Sequence, residues 1–258
     1  MSMEGSQKAA ALNKESSAII SEHLHPALRD KRAVLFDAGG TLVHPDWQRL
    51  ALVAEEVSGR RFTSAELRQA LYKEFQVVDQ FLRNKQAAPE YTRQRGWTFA
   101  RMYEALGIEV GAAGRLSDRV DALHSERHLW CELDPDAPRV LVELKQAGLK
   151  VAVISNTEDG RLEELLEMVE IKMHFDTLID SFIVGHRKPD AAIFHLALER
   201  FKLAPHEAVY VGDSYGHDVL GAEAAGLQAI LLDPLDLYPQ SEVPRIRALS
   251  ELLTDVKR

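Results

Sequence analysis

The feature that most constrains this chain is a set of short apolar runs, each ending abruptly in a polar loop. Ala33–Phe36 opens into Asp37-Ala38-Gly39-Gly40-Thr41, residues 151–154 into Ser155-Asn156-Thr157, residues 208–211 into Gly212-Asp213-Ser214, and residues 229–232 into Asp233-Pro234. A short run apolar at every position is a strand buried on both faces, since a strand with one wet face alternates instead. A weaker run, residues 177–184, leads to Gly185-His186-Arg187-Lys188-Pro189.

Helical segments lie between these runs. Asp136 is placed to cap a helix with Pro138 in its first turn, a Val140, Leu141 and Leu144 stripe, and Gly148 closing it. Leu162, Leu165, Leu166 and Val169 form a second stripe, and Ile193, Leu196, Ala197 and Phe201 a third. Strands alternating with helices predict an α/β fold, a doubly wound parallel sheet of Rossmann-like type covered on both faces. In such sheets ligands bind beyond the carboxyl ends of the strands, where the polar loops fall.

Residues 46–129 break the alternation. They read as helical, carry aromatic residues from Trp47 to Tyr103, and contain no buried-strand run, so an all-helical cap domain inserted after the first strand is expected. The predicted organisation is an N-terminal extension at 1–31, a core made of 32–45 and 130–258, and a helical cap at 46–129. In the extension, Leu12, Ile19, Ile20, Leu24 and Leu28 predict one short amphipathic helix broken near Pro26.

Composition narrows the function classes. With 40 acidic and 31 basic residues the net charge is -9, which disfavours nucleic acid and anionic membrane surfaces as partners. No run approaches the ~18 apolar residues of a membrane span, and the first 30 residues lack the apolar centre of a signal peptide. The single cysteine, Cys131, forms neither an internal disulfide nor a thiolate cluster, and a buried, inert thiol in a reducing, cytoplasmic setting is expected.

A carboxylate at one strand end is a weak signal, because Asp is a common turn former. The ordered set is a strong one: Asp37 with two glycines and Thr41, then Ser155-Asn156, then Lys188-Pro189-Asp190, then Gly212-Asp213 and Asp218. Across residues 33–235 this order resembles the haloacid dehalogenase superfamily of hydrolases, in the branch whose helical cap follows the first strand. The resemblance implies a Mg²⁺-dependent hydrolase of phosphoric monoesters. It makes Asp37 the nucleophile that forms an aspartyl-phosphate. Thr41 and Ser155 become hydroxyl donors to the reacting oxygens, and Lys188 the cation beside them. Gly40, Thr41, Ser155, Asn156 and Lys188 would bind phosphate. Asp37, the Gly39 carbonyl and Asp213 would hold the metal, with Asp218 as their companion one layer out.

The chemistry agrees. A carboxylate and a phosphate dianion repel unless cations neutralise both, and adjacent strand tips about 4.8 Å apart let two carboxylates share one small ion. Three of these residues also have a bland reading: Ser155 as a helix cap, Lys188 as a solvated charge, and Asp218 as a capping or loop residue.

The chain departs from the family pattern at Gly39, where the phosphatases resembled here carry a second aspartate as general acid and base. That help is worth about 10²–10⁴-fold. Two relatives within the superfamily bear on the departure. Phosphonoacetaldehyde hydrolases also have a small residue there but need a Schiff-base lysine, for which Lys73 and Lys85 are the cap candidates. Haloacid dehalogenases share Asp-Ala and Ser-Asn but need no metal. A weakly active protein binding a phosphorylated ligand or a partner is a further alternative. His44 and His217 are the residues available to replace the missing acid, and Arg93, Arg95 and Arg101 the cap cations available to an anion. The expected partner is a small phosphorylated metabolite.

Overall fold

The computed structural model of the chain describes residues 23–93, 96–109 and 113–254. Its centre is a six-stranded parallel sheet. We number the strands β1 (Ala33–Phe36), β2 (Val43–His44), β3 (Glu132–Leu133), β4 (Lys150–Ser155), β5 (Thr177–Asp180), β6 (Ala208–Gly212), β7 (Gln228–Leu232) and β8 (Arg245–Ile246). The sheet order is β5-β4-β1-β6-β7-β8, and β2 pairs with β3 in a separate antiparallel ribbon.

β1 is central because it is the most apolar strand: all four of its residues are fully buried. Alternate side chains feed opposite layers. Val34 and Phe36 join Val140, Leu144, Val153 and Val211 on one face, while Ala33 and Leu35 join Ile154, Phe194 and Tyr210 on the other. Phe36 pairs with Val153 on one side and Val211 on the other, so the next residue of each strand emerges at the same edge. The connections run outward from β1 in both directions, which makes its carboxyl end the switch point where such sheets place ligands.

Residues 46–129 are helical: α1 (Trp47–Ser58), α2 (Ser64–Arg83), α3 (Trp97–Ala105), α4 (Ala113–Glu126) and a short 3₁₀ turn at Glu90–Arg93. The ends are written in the sequence. Asp46 accepts the Arg49 amide at 3.0 Å to start α1, and Gly59, at φ 68°, ends it. Thr63 and Glu66 form a reciprocal capping box at the start of α2. These helices have their own core around Leu50, Leu67, Leu71, Met102 and Tyr103. The β2–β3 ribbon frames the point where the chain leaves and re-enters the sheet, pairing Val43 with Leu133.

Three expectations are corrected among the described residues. Residues 177–184 are not one strand, because the Asp180 carboxylate accepts the amides of Phe182 and Leu162 and starts a helical turn at Ser181–Val184. Asp136 does not cap its helix by a side-chain bond, since its carboxylate accepts the Ser250 amide instead. The predicted N-terminal helix lies mostly outside the described residues. Within them, Leu24 bridges Leu253 and only Pro26–Leu28 turns, as a 3₁₀ element, because the His25 amide pairs with the Leu252 carbonyl. The ribbon and β8 carry two-residue strands, too short for any periodicity to register. No described helix is long and apolar enough to cross a membrane.

Candidate active site

Four of the predicted residues meet at the β1 edge. Lys188 Nζ lies 2.5 Å from Asp37 Oδ1, 2.7 Å from Asp218 Oδ1 and 3.0 Å from the Tyr210 hydroxyl. The Tyr210 hydroxyl in turn lies 3.1 Å from Asp218 Oδ1, and Asp218 Oδ2 accepts the Ser214 amide at 2.9 Å. Both oxygens of Asp218 are therefore committed to holding Lys188 and the loop. Asp37, Asp213, Asp218 and Lys188 are all buried.

Three carboxylates face one ammonium. Burial pushes Asp37 up to about 6, against the pull of Lys188 and with the push of Asp218. Burial also drives Asp213 well above the ordinary carboxylate range, reinforced by Asp37 and Asp218. Lys188 loses affinity for its proton through burial but regains more from Asp218 and Asp37, so it is held charged.

Asp213 Oδ2 is buried with no hydrogen-bond partner among the described residues. The carboxylates of Asp37, Asp213 and Asp218 offer oxygens within 4.8 Å of one another. A buried, unpaired carboxylate oxygen in an excess of negative charge is the donor set a hard divalent cation fits. Gly40 makes the cradle possible: its φ is +92°, and a Cβ there would sit 2.0 Å from Asp213 Oδ2.

Other predicted residues take different tasks. The Gly40 amide donates to the Val43 carbonyl at 2.7 Å, so it is not free to hold phosphate. The Asn156 side chain closes on the backbone of Lys188, accepting its amide at 2.9 Å and donating to its carbonyl at 3.0 Å. It positions the lysine instead of facing a ligand. Thr41 is fully buried with its hydroxyl 3.4 Å from Asp37 Oδ2, where it orients that carboxylate. Ser155 lines the cavity, and the helix that follows starts on the Asp180 carboxylate, so Ser155 is no helix cap. His44 pairs with Asp134 at 3.1 Å on the ribbon and does not line the cavity. His217 does line it, and burial pulls its pKa down to about 4. Arg101 is taken by Glu74 and Glu104. Arg95 lies outside the described residues.

A cavity of about 230 Å³ opens over Asp37 between the sheet edge and the inserted helices. Its helical wall is aromatic: Phe75, Trp97, Phe99 and Trp130 line it, with Trp97 against Phe75 and Trp130 against Phe99. Trp130 stands over Gly39, where an added Cβ would meet its Cε3 at 3.2 Å. Beside it, His124 lies 2.9 Å from Asp159 Oδ2, and His128 packs edge-on against His124. The Nδ1 atoms of both imidazoles accept backbone amides, of Leu129 and Trp130 respectively, which leaves their protons on Nε2. Burial lowers His128 to about 4, so that ring is neutral, and His124, His128 and Asp159 offer atoms within 4.8 Å of one another.

The inserted helices are fastened to the sheet edge by a residue the sequence reading missed. Asp79 of α2 is 1% exposed and accepts the amides of Gly216 (2.7 Å) and Tyr215 (3.0 Å), the Ser214 hydroxyl (2.9 Å) and the Tyr238 hydroxyl. It thereby caps, from another element, the helical turn Tyr215–Val219 that carries Asp218. The available signal was an acid in the apolar face of a helix, within Val77-Val78-Asp79-Gln80-Phe81-Leu82.

The arrangement of nucleophile, lysine and acidic loop on a switch-point sheet has relatives. Residues 31–226 match the family model described as haloacid dehalogenase-like hydrolase. The chain belongs to that family. It is 30% identical over 234 residues, 86% of this chain and 92% of the relative, to haloacid dehalogenase-like hydrolase domain-containing protein 3 of Bos taurus. It is 36% identical over 130 residues to a phosphoserine phosphatase of Thermus thermophilus, half of this chain and 52% of that one. Among solved structures, the HAD-hydrolase YfnB from Bacillus subtilis shares the fold with a TM-score of 0.61 at 21% identity, covering 86% of this chain and 96% of that one. This haloacid dehalogenase-like hydrolase is accordingly an enzyme that breaks a bond with water.

Proposed function

We propose that this hydrolase cleaves phosphoric monoesters through an aspartyl-phosphate on Asp37. The observation that carries the reading is the buried, unpartnered oxygen of Asp213 beside Asp37, which has a use only if a cation sits between them. Asp37, Asp213 and the Gly39 carbonyl would hold Mg²⁺, which supplies positive charge to the nucleophile and the phosphoryl oxygens when bound.

The chain's own residues do the rest. Lys188 neutralises Asp37 and faces the phosphoryl charge, Asp218 and Tyr210 fix its ammonium, and Asn156 fixes its backbone. Thr41 aims Asp37. Residues 46–129 act as a cap that closes the cavity and excludes water, within the division 1–31, 32–45 with 130–258, and 46–129. The hydrogen bonds of Asp79 to the Tyr215 amide and of the Gly96 amide to Glu158 are contacts such a cap would use when closed. The phosphoserine phosphatase and glyceraldehyde 3-phosphate phosphatase relatives support the substrate class.

A phosphonatase route is disfavoured because Lys73 and Lys85 are exposed and do not line the cavity over Asp37. The dehalogenase reading draws on Gly39 and the apolar wall, and an assay separates the two. Mg²⁺-dependent release of p-nitrophenol from its phosphate, lost in Asp37→Asn and in the presence of a chelator, is the expected result. Chelator-resistant release of chloride from 2-chloropropionate with no phosphatase activity would replace this reading with the other.

A further inference from the structure

On the phosphatase reading, two independent observations name the leaving group. The first concerns the side of Asp37 where the ester oxygen departs. The usual acid would stand at residue 39, and here Trp130 occupies that space, with Cε3 at 3.2 Å, Cζ3 at 3.4 Å and Cδ2 at 3.6 Å from where a Cβ would be. The indole offers no ionisable proton. Of the other acids that line the cavity, Glu158 accepts the Gly96 amide and Asp159 pairs with His124, and burial holds the lining imidazoles of His128 and His217 neutral. The second observation is the shape of the wall. Phe75, Trp97, Phe99, Leu129 and Trp130 make an apolar, aromatic wall with its rings set at angles to one another, and the buried cation among the described lining residues, Lys188, is spent on Asp37 and Asp218.

We propose that the substrate is an aryl phosphate, the monoester of a phenol whose ring lies against that wall. A bond forms between an Asp37 oxygen and phosphorus while the phosphorus–aryl oxygen bond breaks, its electron pair staying on the phenolate. The phenolate leaves without help because a phenol has a pKa of about 10, whereas an alkoxide, like hydroxide from water at about 15.7, needs a proton first. The phenolate takes its proton from solvent. Water then attacks phosphorus, the bond from phosphorus to the Asp37 oxygen breaks with its electron pair returning to the carboxylate, and the water's proton passes to the departing phosphate or to solvent.

The test uses the full chain with Mg²⁺ and a graded series of substituted phenyl phosphates, free phosphotyrosine, a phosphotyrosyl peptide, phosphoserine and glycerol phosphate. The expected result is a steep fall of kcat/KM with leaving-group pKa, and aryl esters preferred over alkyl esters by about the 10²–10⁴-fold that a general acid supplies. In Gly39→Asp/Trp130→Leu the alkyl esters gain far more than the aryl esters. Trp97→Ala raises KM for phenyl phosphate about tenfold while inhibition by inorganic phosphate is unchanged. Free phosphotyrosine preferred over the peptide assigns a small molecule as the source, and the reverse a protein side chain, both within the aryl class. Alkyl esters turned over within tenfold of phenyl phosphate, or a flat dependence on leaving-group pKa, overturn the proposal while leaving the phosphatase reading intact. No Asp37-dependent turnover of any ester overturns both.

Discussion

Replacing Asp79 by Asn isolates the contact that ties α2 to the loop of Asp213 and Asp218. One carboxylate oxygen accepts Gly216 N–H and Ser214 O–H, and the other accepts Tyr215 N–H and Tyr238 O–H. An amide keeps its oxygen on the first pair and turns NH₂ toward the second. Tyr238 can rotate its hydroxyl to accept, but the Tyr215 N–H cannot, and an orphaned buried donor costs about 1–3 kcal/mol. Against this, burial holds the Asp79 pKa above the ordinary carboxylate value, so the ionised form carries a desolvation cost that the amide escapes. The net loss is therefore in the lower half of that range, about 1–2 kcal/mol, or roughly 2–8 °C in Tm for a chain of this size. Asp79→Ala leaves every donor unpaired and opens a void, so it should lose about 3 kcal/mol or more. Urea denaturation of both variants, with the exposed Asp118→Asn as control, measures the series, and Mg²⁺ titration of activity reads its effect on the loop. If Asp79→Asn matched Asp118→Asn within about 0.5 kcal/mol and kept the Mg²⁺ dependence of the parent, Asp79 would not be what holds the two elements together.

The nucleophile sets a pH signature without metal. The folded pKa of Asp37, about 6, exceeds its ordinary 3.8, so the stability it contributes is present below about pH 4 and lost as pH rises through 6. That contribution, worth on the order of 3 kcal/mol, should be missing in Asp37→Asn when stability is followed against pH in chelator, leaving the same-signed parts carried by Asp213 and Asp79. Lys188→Met leaves Asp37 and Asp218 buried without a cation, and should cost about 3–5 kcal/mol at neutral pH, abolish turnover, and recover part of its stability in acid, as thermal denaturation at two pH values will show. Gly39→Asp alone drives its side chain into Trp130 and should cost about 1–3 kcal/mol, relieved by adding Trp130→Leu. Because no carboxylate at residue 39 activates water, phospho-enzyme should accumulate, giving a burst of p-nitrophenol that the double variant removes; linear release with no phosphate trapped on Asp37 would count against this.

The sheet was legible because its strands are apolar on both faces, a pattern that local sequence states directly. Asp37, Lys188, Asp213 and Asp218 were legible because their order and spacing resemble the motifs of the haloacid dehalogenase superfamily, and the switch-point sheet is what brings them together. Where the reading failed, a long-range bond had decided the matter. Asp180 ends its strand by accepting amides from two other segments, and Asp136 is drawn off its helix by Ser250. Gly40 and Asn156 look like phosphate ligands in a linear motif, yet their polar groups close on Val43 and Lys188. Asp79, Trp130 and the His124–His128 pair act only through what the insert packs against, which no local pattern records.

Gly39 shows how far that dependence reaches. As a letter in a motif it signals a lost proton donor, a deficit one substitution should repair. In the fold the vacated volume belongs to Trp130, which arrives from the far end of the insert and packs on Phe99. The two residues are thus coupled: where a side chain at residue 39 would stand, Trp130 presents an aromatic face. The opposite face is untouched, with Asp37, Lys188 and Asp218 bonded at 2.5–2.7 Å and Asp213 still holding an unpaired oxygen. Decay of an enzyme would erode both faces alike, since buried carboxylates with no chemistry to perform only cost stability. A site that keeps its costly nucleophile side while rebuilding its leaving-group side is specialised for a bond that breaks without a proton.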